Sequence, residues 1–123
     1  MQRDEAMRKA ADSRGRHAES RAAAALEAEG WAVLARRVRT PAGELDLVAE
    51  REGLLAFVEV KARATLTDAA FALGPAQRAR LLRAAESWMG ANPGHGEAGV
   101  RFDVLLVDAA GRVRRIADAF RLE

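Results

Sequence analysis

Two strand-like runs, Glu44 to Glu50 and Leu54 to Arg63, are joined by Arg51-Glu52-Gly53, and so short a glycine-containing link predicts an antiparallel hairpin. Strand side chains alternate between faces, so Glu44, Asp46 and Val48 are expected on one side and Leu45, Leu47 and Ala49 on the other. By the same rule Phe57, Glu59 and Lys61 oppose Val58, Val60 and Ala62. With Glu52-Gly53 as the turn, Arg51 meets Leu54, and the register sets Asp46 against Glu59 and Glu44 against Lys61. Directly opposed side chains have Cβ atoms roughly 4.5 to 5.5 Å apart, and like charges there destabilise a sheet. Asp46 facing Glu59 therefore calls for full solvation, a raised pKa on one carboxylate, or a bound cation. Leu54-Leu55-Ala56-Phe57-Val58 runs into Glu59 without polar alternation, as strands buried on both faces do, which argues against easy solvation. A hard divalent ion answers the problem most simply, and Mg²⁺, or Mn²⁺ in its place, suits a site with few carboxylates, waters and a substrate phosphate. The competing reading is a solvated hairpin face laced with Glu44–Lys61 and Asp46–Lys61 ion pairs; a one-residue slip of register would remove the Asp46–Glu59 opposition.

Around the hairpin the pattern is mixed. Residues 1–12 are charged and lack a sustained apolar stripe, so a loose lead-in, either partly helical or disordered, is expected. Ser13 is a candidate N-cap for a helix over roughly 14–29, with Ala18, Ala22, Ala25 and Leu26 on one stripe and Gly30 as its stop. Trp31 to Arg39 reads as a strand and Thr40-Pro41-Ala42-Gly43 as a turn. Residues 65–74 are ambiguous between loop and short helix. Pro75 opens a second helix to about Met89, with Ala79, Leu82, Ala85 and Met89 as its apolar stripe. Gly90 to Gly99 is a glycine-rich loop, Val100 to Val107 a strand, and a turn near Gly111 leads to a short ending through Phe120. The expected fold is α/β: a mixed sheet of about four to five strands flanked by two main helices, in a single domain over 13–123.

A chain of 123 residues holds one core of this kind. Cysteine is absent, so disulfides, thiolate zinc sites and a cysteine nucleophile are excluded, and a metal must be held by oxygen or imidazole. The N-terminus mixes charges and no apolar run is long enough to span a bilayer, which sets cytoplasmic location and no membrane partner as the expectation. Of the 20 basic residues only Lys9 and Lys61 are lysine, and Lys61 lies within an apolar run. The arginines of the first strand (Arg36, Arg37, Arg39) and second helix (Arg78, Arg80, Arg83) are candidate phosphate contacts. His17 and His95 read as surface residues, Trp31 and Trp88 as core anchors, and Asp103 as a structural partner for arginine. No Ser/His/Asp grouping is visible, and Gly90 to Gly99 lacks the Lys-Ser/Thr of a phosphate loop.

Gly43-Glu44-Leu45-Asp46-Leu47-Val48-Ala49 followed by Phe57-Val58-Glu59-Val60-Lys61-Ala62-Arg63 resembles the paired signature of the YraN-like bacterial family. That family is assigned to the PD-(D/E)XK nuclease superfamily and is similar to archaeal Holliday-junction resolvases. Gly15-Arg16-His17-Ala18-Glu19, Gly30-Trp31 and Arg101-Phe102-Asp103-Val104 extend the likeness. The resemblance implies a restriction-endonuclease-like core with Asp46 and Glu59 as ligands of Mg²⁺ or Mn²⁺ and the Val60 carbonyl as a third. Lys61 would activate the attacking water, and Glu19 would enter from the first helix. Glu44, Gln77, Arg63, Arg78 and Arg80 are the expected substrate contacts. Ala18 stands where the family has glycine and Gln77 where it has lysine, which bears on substrate contacts more than on the metal. The implied activity is a metal-dependent endonuclease on nucleic acid, DNA, branched substrates included, with a homodimer as an option. The alternative is a non-catalytic nucleic-acid-binding or assembly module on the same fold.

Overall fold

The hairpin closes as its turn chemistry dictates. Glu52 and Gly53 both take positive φ, 52° and 80°, the pattern of a two-residue type I′ turn whose twist matches that of the flanking strands. The computed structural model describes residues 2–63 and 74–120, with side chains over 5–6, 15–63 and 74–116. Its elements are α1 (Gln2–Ala28), β1 (Ala32–Thr40), β2 (Gly43–Arg51), β3 (Leu54–Ala62), α2 (Pro75–Ala91), β4 (Gly99–Val107) and β5 (Val113–Phe120). The sheet order is β1-β2-β3-β4-β5; β3 and β4 are parallel, with α2 in the connection between them, and the other neighbours are antiparallel. The fold is thus α/β, with a mixed five-stranded sheet and two helices.

Alternation along the inner strands separates two cores. Leu55 and Phe57 of β3 join Phe102, Val104 and Leu106 of β4 against Leu81, Ala84, Ala85 and Trp88 of α2. Ala56 and Val58 join Leu105 and Val107 against Ala18, Ala22, Ala23 and Leu26 of α1, with Trp31. The helices therefore cover opposite faces, and β3 and β4 are apolar on both sides as strands of a covered sheet must be. The α1 side is small-residue packing: three alanines at 0 or 1% exposure let the helix approach the sheet closely. On the other side, Trp88 meets Phe57 edge-on at 5.9 Å between ring centroids. Both tryptophans are buried anchors, as the sequence suggests.

Two helix expectations change. The first helix begins at Gln2, so Ser13 lies within it and cannot cap it. Residues 2–12 contain neither glycine nor proline and, apart from Asp4 and Asp12, are all strong helix formers (Ala, Arg, Lys, Gln, Glu, Met), so helix propensity carries the element back through them. Its C-terminus ends as expected: Gly30 at φ 90° donates to the Glu27 carbonyl and Trp31 N–H to Leu26, a Schellman closure. In α2 the buried stripe is Leu81, Ala84, Ala85 and Trp88, about one residue off the expected Ala79, Leu82, Ala85 and Met89. That rotation buries the indole, the larger apolar group, and leaves Leu82 and Met89 at the margin of the core. The segment expected to be loop or short helix after Arg63 falls, apart from Gly74, outside the described residues. Among the described residues, no helix is long and apolar enough to cross a membrane.

Candidate functional site

The expected hairpin register holds over five pairs, from Arg51↔Leu54 to Leu47↔Val58. There the ladder ends, one pair short of Asp46 and Glu59. The Asp46 carboxylate itself accepts the Val60 N–H, Oδ2 to N 2.8 Å, in the place where a strand carbonyl would otherwise serve. Asp46 and Glu59, and Glu44 and Lys61, are therefore not ladder partners. On the other side of β2, pairing passes from Arg36↔Leu47 to Val38↔Leu45 without an Arg37–Asp46 pair.

The expected faces of β2 are also corrected. Leu45 packs with Val48 in the α2-side core, while Leu47 and Ala49 lie in the α1-side core. Side chains three apart share a face only if the pleat slips by one between them, and Ala35 and Val38 of β1 show the same spacing. Arg37, at φ 49°, is where β1 slips; an L-residue in that region costs about 1–2 kcal/mol. The sequence carries a trace of this slip. In β1 it is the three-residue step from Ala35 to Val38 across Arg36-Arg37; Val33, two residues before Ala35, packs in the opposite core, and the β1–β2 register shifts between those two.

The slip gathers charge. Glu19 of α1, Glu44 and Asp46 each present a carboxylate oxygen within 4.8 Å of the others. Glu19 thus projects into the site as the sequence reading anticipates. Arg37 Nε stands 3.4 Å from Glu19 Oε2 and 3.7 Å from Glu44 Oε1. Glu59, with its side chain 11% exposed, is held by Lys61 Nζ at 3.1 Å and by Gln77 Nε2 at 3.4 Å. Burial, then the Glu59 charge and then Glu19 push the Asp46 carboxyl up to about 7, against the opposing pull of the Val60 N–H and Lys61. Burial likewise raises Glu19, with Arg37 pulling the other way. Three carboxylates in one place, two of them reluctant to ionise, make a region short of positive charge.

The remaining candidates divide. Gln77 reaches the site through Glu59. Arg80 lies over the β1–β2 turn, where a Cβ on Gly43 (φ 143°) would meet its Cδ at 3.0 Å. Arg78 is exposed on α2, and Arg63 donates to the adjacent Ala62 carbonyl. His17 and His95 are exposed, and His95 pairs with Glu50 at 3.0 Å. Asp103, 1% exposed, accepts from Arg101 Nη2 at 3.0 Å and Arg115 Nε at 2.9 Å, the structural role its strand suggests. The residue that sequence reasoning misplaces is Arg37, expected among outward phosphate contacts and found within the acid cluster.

The geometry falls inside the part of the chain that a family model matches. A family model described as "Uncharacterised protein family UPF0102" matches residues 18–107, from the residue before Glu19 to the end of β4. A UPF0102 protein of Granulibacter bethesdensis is 61% identical over 109 residues, covering 89% of this chain and 69% of the relative. One from a Bradyrhizobium species is 51% identical over 113 residues, 92% of this chain and 80% of its own length. One from Rhodopseudomonas palustris is 57% identical over 100 residues, 81% of this chain and 76% of the relative. The chain belongs to the uncharacterised protein family UPF0102.

Proposed function

We propose that this chain is a metal-dependent endonuclease of the PD-(D/E)XK type, hydrolysing phosphodiester bonds in nucleic acid, DNA in particular. The observation that carries the reading is Asp46. Its carboxylate is fixed by the Val60 N–H at the end of the hairpin ladder, with the carboxylates of Glu19 and Glu44 beside it and Glu59–Lys61 across the gap. The donor set is all oxygen, which fits Mg²⁺ or Mn²⁺ and not a soft metal. Asp46, Glu59 and the Val60 carbonyl are the proposed ligands, with Glu19 completing the acid wall; Val60 offers its carbonyl on the strand edge that carries its N–H. When bound, the ion supplies Lewis acidity toward the phosphodiester and acidifies the attacking water.

The chain's own residues do the rest. Lys61, 3.1 Å from Glu59, places a positive charge beside the reacting phosphate and orients the water. Glu44 and Gln77 border the site, and Arg63, Arg78 and Arg80 supply substrate contacts from β3 and α2. Lys61→Ala is expected to keep most nucleic-acid binding, since one cation among many phosphate contacts is a small share, and to abolish cleavage. Asp46→Ala is expected to abolish both Mn²⁺ binding and cleavage while holding or raising metal-free binding, because it removes a charge that repels phosphate. Calorimetry with Mg²⁺ and Mn²⁺, followed by assays on branched, duplex and single-stranded DNA, tests the reading. Cleavage that survives unchanged in both variants would assign the activity elsewhere.

A second reading, a non-catalytic nucleic-acid-binding or assembly module, draws support from the ion pairs that Glu19, Glu44 and Glu59 already make with Arg37 and Lys61. It expects no cleavage by any variant on any of these substrates, with or without Mn²⁺. Retention of a carboxylate cluster that repels phosphate favours the enzyme.

A further inference from the structure

Arg37 puts a guanidinium on two of the three clustered carboxylates, 3.4 Å from Glu19 and 3.7 Å from Glu44. It does so from a left-handed backbone, φ 49°, at the point where the β1–β2 ladder omits a pair. Arginine rarely adopts that region, so the chain leaves regular strand geometry at the very residue that delivers positive charge to the acids. The contact is also loose. Both distances exceed those of a close charge-assisted hydrogen bond, and the Arg37 side chain remains 41% exposed. A guanidinium so placed can return to water at little cost, because ion pairs this open are weak.

We infer that Arg37 is the resident counter-ion of Glu19 and Glu44 and competes with a divalent cation held at Asp46, whose carboxylate lies within 4.8 Å of theirs, so that guanidinium and ion exclude one another from the acid cluster. Two cations cannot both occupy so small a cluster without repelling each other at short range. A divalent ion neutralises the cluster more fully than one guanidinium does, whereas a monovalent ion has no such advantage. Arg37 thereby offsets part of the cluster's negative charge in the metal-free protein and biases it toward divalent ions. The inference rests on the cation-site reading given above.

Calorimetric titration of Mn²⁺ into wild type, Arg37→Gln and Arg37→Lys at neutral pH is the test, with thermal melts of each protein with and without Mn²⁺. Removal of the competitor is expected to tighten Mn²⁺ binding about fivefold in Arg37→Gln, the worth of one exposed ion pair. Arg37→Lys, which keeps a competing charge, should stay near wild type. Mn²⁺ should also raise the melting temperature of Arg37→Gln more than that of wild type. If wild type binds Mn²⁺ and Arg37→Gln binds it equally or more weakly, Arg37 is no competitor, while the cation site stands. If none of the three proteins binds Mn²⁺, the cation site falls and this inference with it.

Discussion

Two aspartates on the strands either side of β3 meet opposite fates in this sheet. Asp103 on β4 is 1% exposed and is gripped by Arg101 and Arg115, whose guanidinium carbons also lie 5.1 and 5.0 Å from the Trp31 ring centroid. Asp46 on β2 has a backbone N–H for its hydrogen bond and three further carboxylates, Glu19, Glu44 and Glu59, for company. The first is matched by cations from its own fold. The second is left with surplus negative charge that only a proton or an outside cation can answer, and its carboxyl is pushed up to about 7 accordingly. A buried carboxylate marks a functional site when its surroundings fail to neutralise it, and a structural one when they succeed.

The contrast is broken or sharpened most strongly at Asp103. Asp103→Ala removes the buried acceptor that Arg101 and Arg115 share, leaving Arg115 its contact with the exposed Glu29, and is expected to cost about 3–5 kcal/mol in urea unfolding. A loss below about 1 kcal/mol would deny Asp103 its structural part and erase the distinction from Asp46.

At Asp46 the sign reverses. Asp46→Asn keeps an oxygen for the Val60 N–H and removes a repelling charge, so the metal-free protein should gain up to about 1 kcal/mol near pH 8. The pH dependence follows from the same cause. Since the folded-state pKa, about 7, exceeds the ordinary 3.8, the folded protein holds the extra proton between those values. Wild-type stability contributed by this group is present below about pH 4 and declines as pH rises to about 7. Unfolding curves for wild type and Asp46→Asn over that window should converge at the acid end and separate toward neutrality; parallel curves would refute the raised pKa.

The smallest effect belongs to an exposed pair that belongs to neither class. Arg36–Glu27, at 3.5 Å with both side chains more than half exposed, should contribute less than about 0.5 kcal/mol. An Arg36→Ala loss comparable to that of Asp103→Ala would show that exposure does not sort these charges as argued.

Much of the site was legible because its causes are local. The Glu52-Gly53 turn sets the β2–β3 register over all five pairs and brings the end of the ladder up to Asp46 and Glu59, while simple alternation fails at Asp46, where the β2 pleat slips. Lys61 beside Glu59 follows from two-residue spacing on one strand. Arg37 was not legible as a member of the acid site. Its role depends on a slip that β1 and β2 undergo together, and only the three-residue apolar step across Arg36-Arg37 hints at it. The α2 stripe was misread for a related reason: a helix with apolar residues at 79, 81, 82, 84, 85, 88 and 89 offers two adjacent stripes, and Phe57 across the sheet selects the one that holds Trp88.

The sequence by itself determined the α/β element order, the hairpin and its register from Arg51↔Leu54 to Leu47↔Val58, and the Schellman stop at Gly30. Each of these is set by residues within a few positions of one another, through turn dihedrals, pleat alternation or helix-end hydrogen bonds. Only the tertiary structure decided that Glu19 meets Asp46, that the Asp46 carboxylate replaces a rung of the ladder, and that Arg115 of β5 neutralises Asp103 of β4. Those outcomes depend on where strands part and how helices lie across them. Charges distant in sequence interact strongly only once the fold has brought them within a few ångströms and removed the water between them.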